Sequence, residues 1–210
     1  TWTKVSKLCL GTDNYGNRWG CDEPTAYQIM GTALDAGINF IDTSDSYNEG
    51  RSESMIGNYL AESGRRDNVV LATKYRSKVG AGINDIGASS YHIVRAVENS
   101  LRRLRTDRID LFYCHSLDAE TPVEETLRAV DDLIHQRKVV YAGVSNFPTW
   151  VLAKSLWVSD VKNLFRYEAI QSVFNILQPG LGREMVPWKP QMHMTPPTPT
   201  PTSTPTPATA

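Results

Sequence analysis

Six short runs rich in β-branched and aromatic residues recur at near-constant distance, and this rhythm limits the fold more than any other feature of the chain. The runs lie at Val5 to Gly11, Asn39 to Thr43, Val69 to Lys74, Asp110 to His115, Val139 to Ser145 and Glu168 to Phe174, with starts 34, 30, 41, 29 and 29 residues apart. Such spacing is that of successive βαβ units of roughly 30 or more residues each. Their parallel strands are covered on both faces and read as near-continuous apolar runs, as VVLAT and DLFYC do here. Helical patterns fill the gaps. Ser90 opens one, with Ile93, Val97, Leu101 and Leu104 facing inward. Thr121, Pro122 and Glu124 give the next an N-cap, a first-turn proline and a capping-box acid, ahead of Val123, Leu127, Val130 and Ile134. Gly37, just after Ala36, is placed to stop the first helix in the left-handed conformation.

Strand and helix units in series favour either a barrel or a doubly wound sheet. The segment after the first run, GTDNYGNRWG, lacks the GxGxxG phosphate loop of the doubly wound dinucleotide folds. The reading is therefore an α/β fold of the (β/α)8 TIM-barrel type, incomplete, with about six of the eight units. Residues 1–184 form the expected barrel portion. From Met185 onward the composition shifts, and eight of the chain's 12 prolines alternate there with threonine. That stretch, 185–210, is expected to be an extended, polyproline-like disordered tail, with an O-glycosylated stalk as the alternative.

Charge narrows the function classes. Twenty-two Lys and Arg against 23 Asp and Glu leave a net charge of −1, which gives no field to hold nucleic acid or an anionic membrane. No apolar run approaches the roughly 18 residues of a spanning helix, and TWTKVSK has no signal-peptide character, so a cytoplasmic protein is expected. Cys9, Cys21 and Cys114 are an odd set without CxxC spacing, which argues against a disulfide framework or a zinc cluster.

In parallel barrels the chemistry sits at the C-terminal ends of the strands. Four runs end in polar residues: Asp42 and Thr43, with Tyr47 in the following loop; Lys74; His115; and Ser145 with Asn146. A phenol of ordinary pKa, about 10, is a poor acid at neutral pH, but an adjacent ammonium stabilises its phenolate. Lys74 is the candidate cation, Asp42 the carboxylate that keeps it charged, and His115 the group that orients a carbonyl oxygen or shares the proton. Together they suit protonation of a carbonyl oxygen while hydride reaches its carbon. Singly, each has a plain structural alternative: an Asp–Lys pair closing a barrel interior, a hydrogen-bonded histidine, a loop tyrosine. Arg65, Arg66 and the LRRLR at 101–105 read as solvated helix faces. Cys114 alternates away from His115, toward the helices. Tyr15 and Trp19 either line a pocket or pack their loop onto the rim.

The stretch INFIDTSDSYNEGRSESMIGNYL, followed by ATK, HIVRAVENSLRRLRTDRIDLFYCHS, PVEETLRAVDDLI and VVYAGVSNF, closely resembles the aldo-keto reductases. The likeness is greatest to the bacterial-type branch that also resembles potassium-channel β subunits, and covers about residues 5 to 187. It implies a (β/α)8 barrel that uses NADPH without a Rossmann domain and reduces a small-molecule carbonyl substrate. It further implies a tetrad of Asp42, Tyr47, Lys74 and His115 with Tyr47 as general acid. Ser145, Asn146 and Gln171 match the positions that hold the nicotinamide carboxamide, and Asp42 lines the ribose as well. The pattern departs from the family after QSVFNILQPGLGREMVP, where proline and threonine stand in place of the last strands and their phosphate-binding loops. That departure leads to the expectation of weak NADPH binding, doubtful turnover and self-association through open sheet edges. A non-catalytic redox-sensing or regulatory subunit, or an inactive fragment of the same family, is the alternative function.

Overall fold

The computed structural model describes residues 3–16 and 21–173. Six strands, β1 (Leu10–Gly11), β2 (Phe40–Asp42), β3 (Val70–Tyr75), β4 (Ile109–Cys114), β5 (Val139–Ser145) and β6 (Ala169–Gln171), pair in sequence order, every neighbour parallel. Five helices connect them: α1 (Glu23–Asp35), α2 (Arg51–Ser63), α3 (Ser90–Leu104), α4 (Val123–His135) and α5 (Thr149–Lys162). This is the α/β arrangement of an incomplete TIM-type barrel, a curled sheet with helices between its strands. No described helix is long and apolar enough to cross a membrane.

Strand alternation sorts the core into two faces. Ile41 and Leu71 point outward and join Ala26, Met30, Ile56, Leu60 and Leu104 under the helices. Their neighbours Phe40 and Ala72, with Leu111, Tyr113, Tyr141 and Ala169, form a separate cluster on the inner face. Gly143 belongs to that face by necessity of space. A Cβ there would stand 2.6 Å from the Tyr113 ring and 2.7 Å from the Ala169 carbonyl oxygen.

The helix ends follow from local chemistry, with one correction to the sequence reading. Gly37 takes the left-handed conformation at φ 84° after Ala36, as the stop signal requires. The capping box at Thr121 does not form, because the Thr121 hydroxyl donates to Asp118 (2.8 Å) and α4 begins behind Pro122 with no side-chain cap. Helix α3 opens at Ser90 as expected, with Ser89 as its cap, the Ser89 hydroxyl accepting from His92 N. The first strand is far shorter than Val5 to Gly11. Ser6 N donates to the Asn39 side chain (2.7 Å), and Asn39 returns bonds to Ser6 Oγ and the Lys4 carbonyl, so side chains replace the ladder there. Phe174, the domain boundary after 184 and the Pro/Thr-rich tail lie outside the described residues.

Candidate active site

Asp42 closes β2, Lys74 is the penultimate residue of β3, and the two meet on the inner face. The Lys74 ammonium donates to Asp42 Oδ1, to the Thr43 carbonyl (2.8 Å) and to the Tyr47 hydroxyl (3.2 Å), which uses all three of its hydrogens. Lys74 and Asp42 are 1% and 6% exposed, so neither charge is tolerable without the other. Burial pushes the Asp42 carboxyl up, while Lys74 and then the Gln171 side chain pull it back.

Tyr47 reaches this pair from the loop after β2. Behind it Asn48, Glu49 and Gly50 all take left-handed backbone, with φ of 50°, 61° and 82°. Two non-glycine residues in that region need outside support. Asn48 supplies it, its amide donating to the Asp13 and Tyr15 carbonyls at 2.7 and 2.8 Å.

His115 follows β4 and lies edge-on to Tyr47, ring centroids 5.8 Å apart. Its Nδ1 faces two hydroxyls, Ser44 Oγ at 3.2 Å and Ser77 Oγ at 3.4 Å. Burial, then the charges of Lys74 and Arg76, lower its pKa to about 4, so the ring is neutral at physiological pH. Arg76 itself holds a strained φ of 102° at the end of β3.

The other three predicted residues gather at the ends of β5 and β6. Ser145 and Gln171 are register partners, Asn146 N donates to the Gln171 carbonyl (2.9 Å), and the Asn146 amide donates to Ser145 Oγ (3.1 Å). All seven sequence-predicted residues thus lie at the C-terminal ends of strands or in the turns that follow them.

Sequence reasoning missed the scaffold behind the site. Thr12, Thr43 and Ser52, all fully buried, share a hydroxyl cluster with 2.9 Å contacts that ties β1, the end of β2 and α2 together. Glu53 is also fully buried, accepting from Thr73 Oγ1 and Arg103 Nε, each at 2.6 Å. A signal was present: Glu53 falls three, four and seven residues before Ile56, Gly57 and Leu60, on the apolar face of α2. The solvated-face reading therefore fails for Arg103, and also for Arg66, which bonds Asp110 and the Val69 and Arg108 carbonyls. Tyr15, 3% exposed, packs into the core beneath its loop, while Trp19 lies outside the described residues. Cys114 faces the helices as expected, lining a cavity with Val123, Thr126 and Ser155.

An acid, an amine, a phenol and an imidazole at the C-terminal ends of parallel strands define a βα-barrel protein with its polar chemistry where such folds carry it. The chain belongs to the aldo/keto reductase family, whose model matches residues 7–188. It is 40% identical over 196 residues to an uncharacterized oxidoreductase, YrpG, of Bacillus subtilis, covering 89% of this chain and 60% of that protein. It is 33% identical over 197 residues to norsolorinic acid reductase A of Aspergillus parasiticus, covering 88% of this chain and 50% of the relative. To an aryl-alcohol dehydrogenase (NADP+) of Phanerodontia chrysosporium it is 31% identical over 198 residues, covering 87% and 51%. The chain spans 50 to 60% of the length of these relatives.

Proposed function

We propose that this protein is an NADPH-dependent oxidoreductase that reduces an aldehyde or ketone to the alcohol, with Tyr47 as the general acid. The observation that carries this reading is the Lys74 ammonium, which bonds the Asp42 carboxylate and the Tyr47 hydroxyl at once. Tyr47 gives its proton to the carbonyl oxygen, and the phenolate left behind stays bonded to an ammonium that Asp42 keeps charged. Neutral His115 orients the carbonyl oxygen from the other side of the phenol. One of the relatives is named as an NADP+-linked aryl-alcohol dehydrogenase, which favours aromatic carbonyl substrates and the phosphorylated cofactor.

The residues present fit a nicotinamide nucleotide. Buried Asp42 Oδ2 has no hydrogen-bond partner and is an acceptor suited to a ribose hydroxyl. A Cβ built on Gly11, the register partner of Asp42, meets nothing within 4 Å, so there is open space beside that carboxylate. Ser145, Asn146 and Gln171 offer the mixed donors and acceptors that a carboxamide needs. NADPH, when bound, supplies the hydride to the carbonyl carbon and leaves as NADP+.

The test is NADPH consumption with a panel of aromatic aldehydes, run beside Tyr47→Phe. The reading expects wild-type turnover and a loss of about 100-fold or more in the variant. Equal rates in the two proteins would remove it.

A further inference from the structure

The loop between β2 and Tyr47 contains a chain of polar atoms that the proton donation does not use. Asp45 is 3% exposed, and its Oδ1 lies 3.3 Å from Ser44 Oγ, which in turn lies 3.2 Å from His115 Nδ1. Ser44 has one hydrogen to give, and Ser46 Oγ (3.0 Å) competes for it, while Ser77 Oγ (3.4 Å) is a second hydroxyl at Nδ1. Along the path from Asp45 to His115 the charge of Asp45 biases which way that hydrogen points. If Asp45 is ionised, it draws the Ser44 hydrogen, Ser44 is left as an acceptor for Nδ1–H, and the tautomer with a bare lone pair on Nε2 gains, against the Ser77 hydroxyl that can still donate to Nδ1. With Asp45 as a neutral acid the order reverses: Asp45 donates to Ser44, Ser44 donates to Nδ1, and the hydrogen of the imidazole sits on Nε2. This second state gives a carbonyl oxygen a donor.

The surroundings select between them. Asp45 Oδ2 has no hydrogen-bond partner, and no ammonium or guanidinium forms an ion pair with this carboxyl among the described residues. An ionised carboxylate buried on so few donors costs several kcal/mol. The charged groups facing it from each packed element are mixed. Helix α2 presents the Glu53 carboxylate, already engaged with Arg103 of α3. A pocket lined by Asp45 adds Glu49 of its own loop, Asp85 of the loop before α3, and His92 and Arg95 of α3. Arg95 is paired with Asp85 (3.3 Å), and burial lowers the His92 pKa, so neither offers Asp45 a free cation. Lys74 touches the segment through its carbonyl, which accepts from Asp45 N (3.1 Å), while its ammonium serves Asp42. On the imidazole side stand Lys74, Arg76 and Tyr47, and burial, aided by the two cations, keeps the ring itself neutral.

We propose that Asp45, as a neutral carboxyl acting through Ser44, is a positioning residue that holds His115 with its hydrogen on Nε2, the donor-bearing tautomer that carbonyl reduction needs. The use made of that donor rests on the function proposed above; the tautomer itself does not. Burial, and secondarily Glu53, push the Asp45 carboxyl up to about 8, in keeping with a proton retained at neutral pH.

Long-range proton–nitrogen NMR on the full chain labelled with 15N-histidine reads the tautomer directly, without turnover. The expected result is an Nε2–H ring at neutral pH that shifts toward Nδ1–H as pH rises through about 8. Asp45→Asn, whose amide donates to Ser44 at every pH, should keep Nε2–H and abolish the shift. Ser44→Ala should abolish the shift and weaken the preference. A wild-type ring carrying Nδ1–H at neutral pH overturns the proposal even if both variants fail to fold, as does an unchanged pH course in a folded Asp45→Asn protein. Absent turnover with the expected tautomer would instead count against the enzyme reading alone.

Discussion

Two buried ion pairs lie on opposite faces of β3, one residue apart in sequence, and they do different work. On the helix side Thr73 meets Glu53 and Arg103, and this pair is closed: each carboxylate oxygen has its donor at 2.6 Å. On the inner side Lys74 meets Asp42, and this pair is open. One Asp42 oxygen has no hydrogen-bond partner, and one Lys74 hydrogen goes to a phenol at the mouth. A closed pair fastens α2 and α3 to the sheet. An open pair holds the same kind of charges with binding capacity left over, which is what a site needs and a strut does not.

Breaking each pair separates the roles. The largest effect is expected from Lys74→Met, which should cut turnover by about 100- to 10,000-fold in a steady-state NADPH assay. The folded state should survive, since burial already favours protonation of Asp42. Glu53→Ala should do the reverse, lowering unfolding stability in urea by about 3 kcal/mol by stranding Thr73 and Arg103, with a much smaller change in turnover per folded molecule. Ser52→Ala, which opens the hydroxyl cluster under Thr43, is expected to cost about 1 to 2 kcal/mol in the same measurement.

The smallest effects are in the pH dependence of stability. From pH 6.5 down to about 4 an unfolded chain binds a proton at residue 115 that the folded ring refuses, so His115 makes stability fall as pH falls. Between 3.8 and about 8 the folded state keeps a proton on Asp45 that the unfolded chain releases, so Asp45 makes stability fall as pH rises. The two oppose each other in their shared window. His115→Gln should therefore tilt the urea midpoint downward with rising pH between about 4 and 6.5, and Asp45→Asn should flatten the decline between 6.5 and about 8. A His115→Gln profile matching the wild type in that window contradicts the buried, neutral imidazole.

What the sequence made legible follows the same division. Strand order and the inner-face residues were readable because near-continuous apolar runs that close on a polar residue mark buried parallel strands and their C-terminal ends, as FID and VLATK do. β5 falls on its expected bounds, Val139–Ser145. The frayed β1 was not readable, because Asn39 captures Ser6 through a contact 33 residues away that no local pattern encodes. The scaffold of the site was hidden for a related reason. Thr12, Ser44 and Ser52 look like ordinary loop and helix-start residues until the fold brings Thr12 and Ser52 within 2.9 Å of each other and Ser44 within 3.2 Å of His115. Arg103 sits in a run of arginines that resembles a solvated face, and only the buried Glu53 opposite distinguishes it.

The central claim is that Tyr47 and Lys74 act as one unit, and a double-mutant cycle on turnover tests it most directly. Tyr47→Phe and Lys74→Met should each cost about 100-fold or more, and the double variant should lose no more than the worse of the two, because either change already disables the shared proton donor. Losses that multiply across the cycle would mean the phenol and the ammonium work independently.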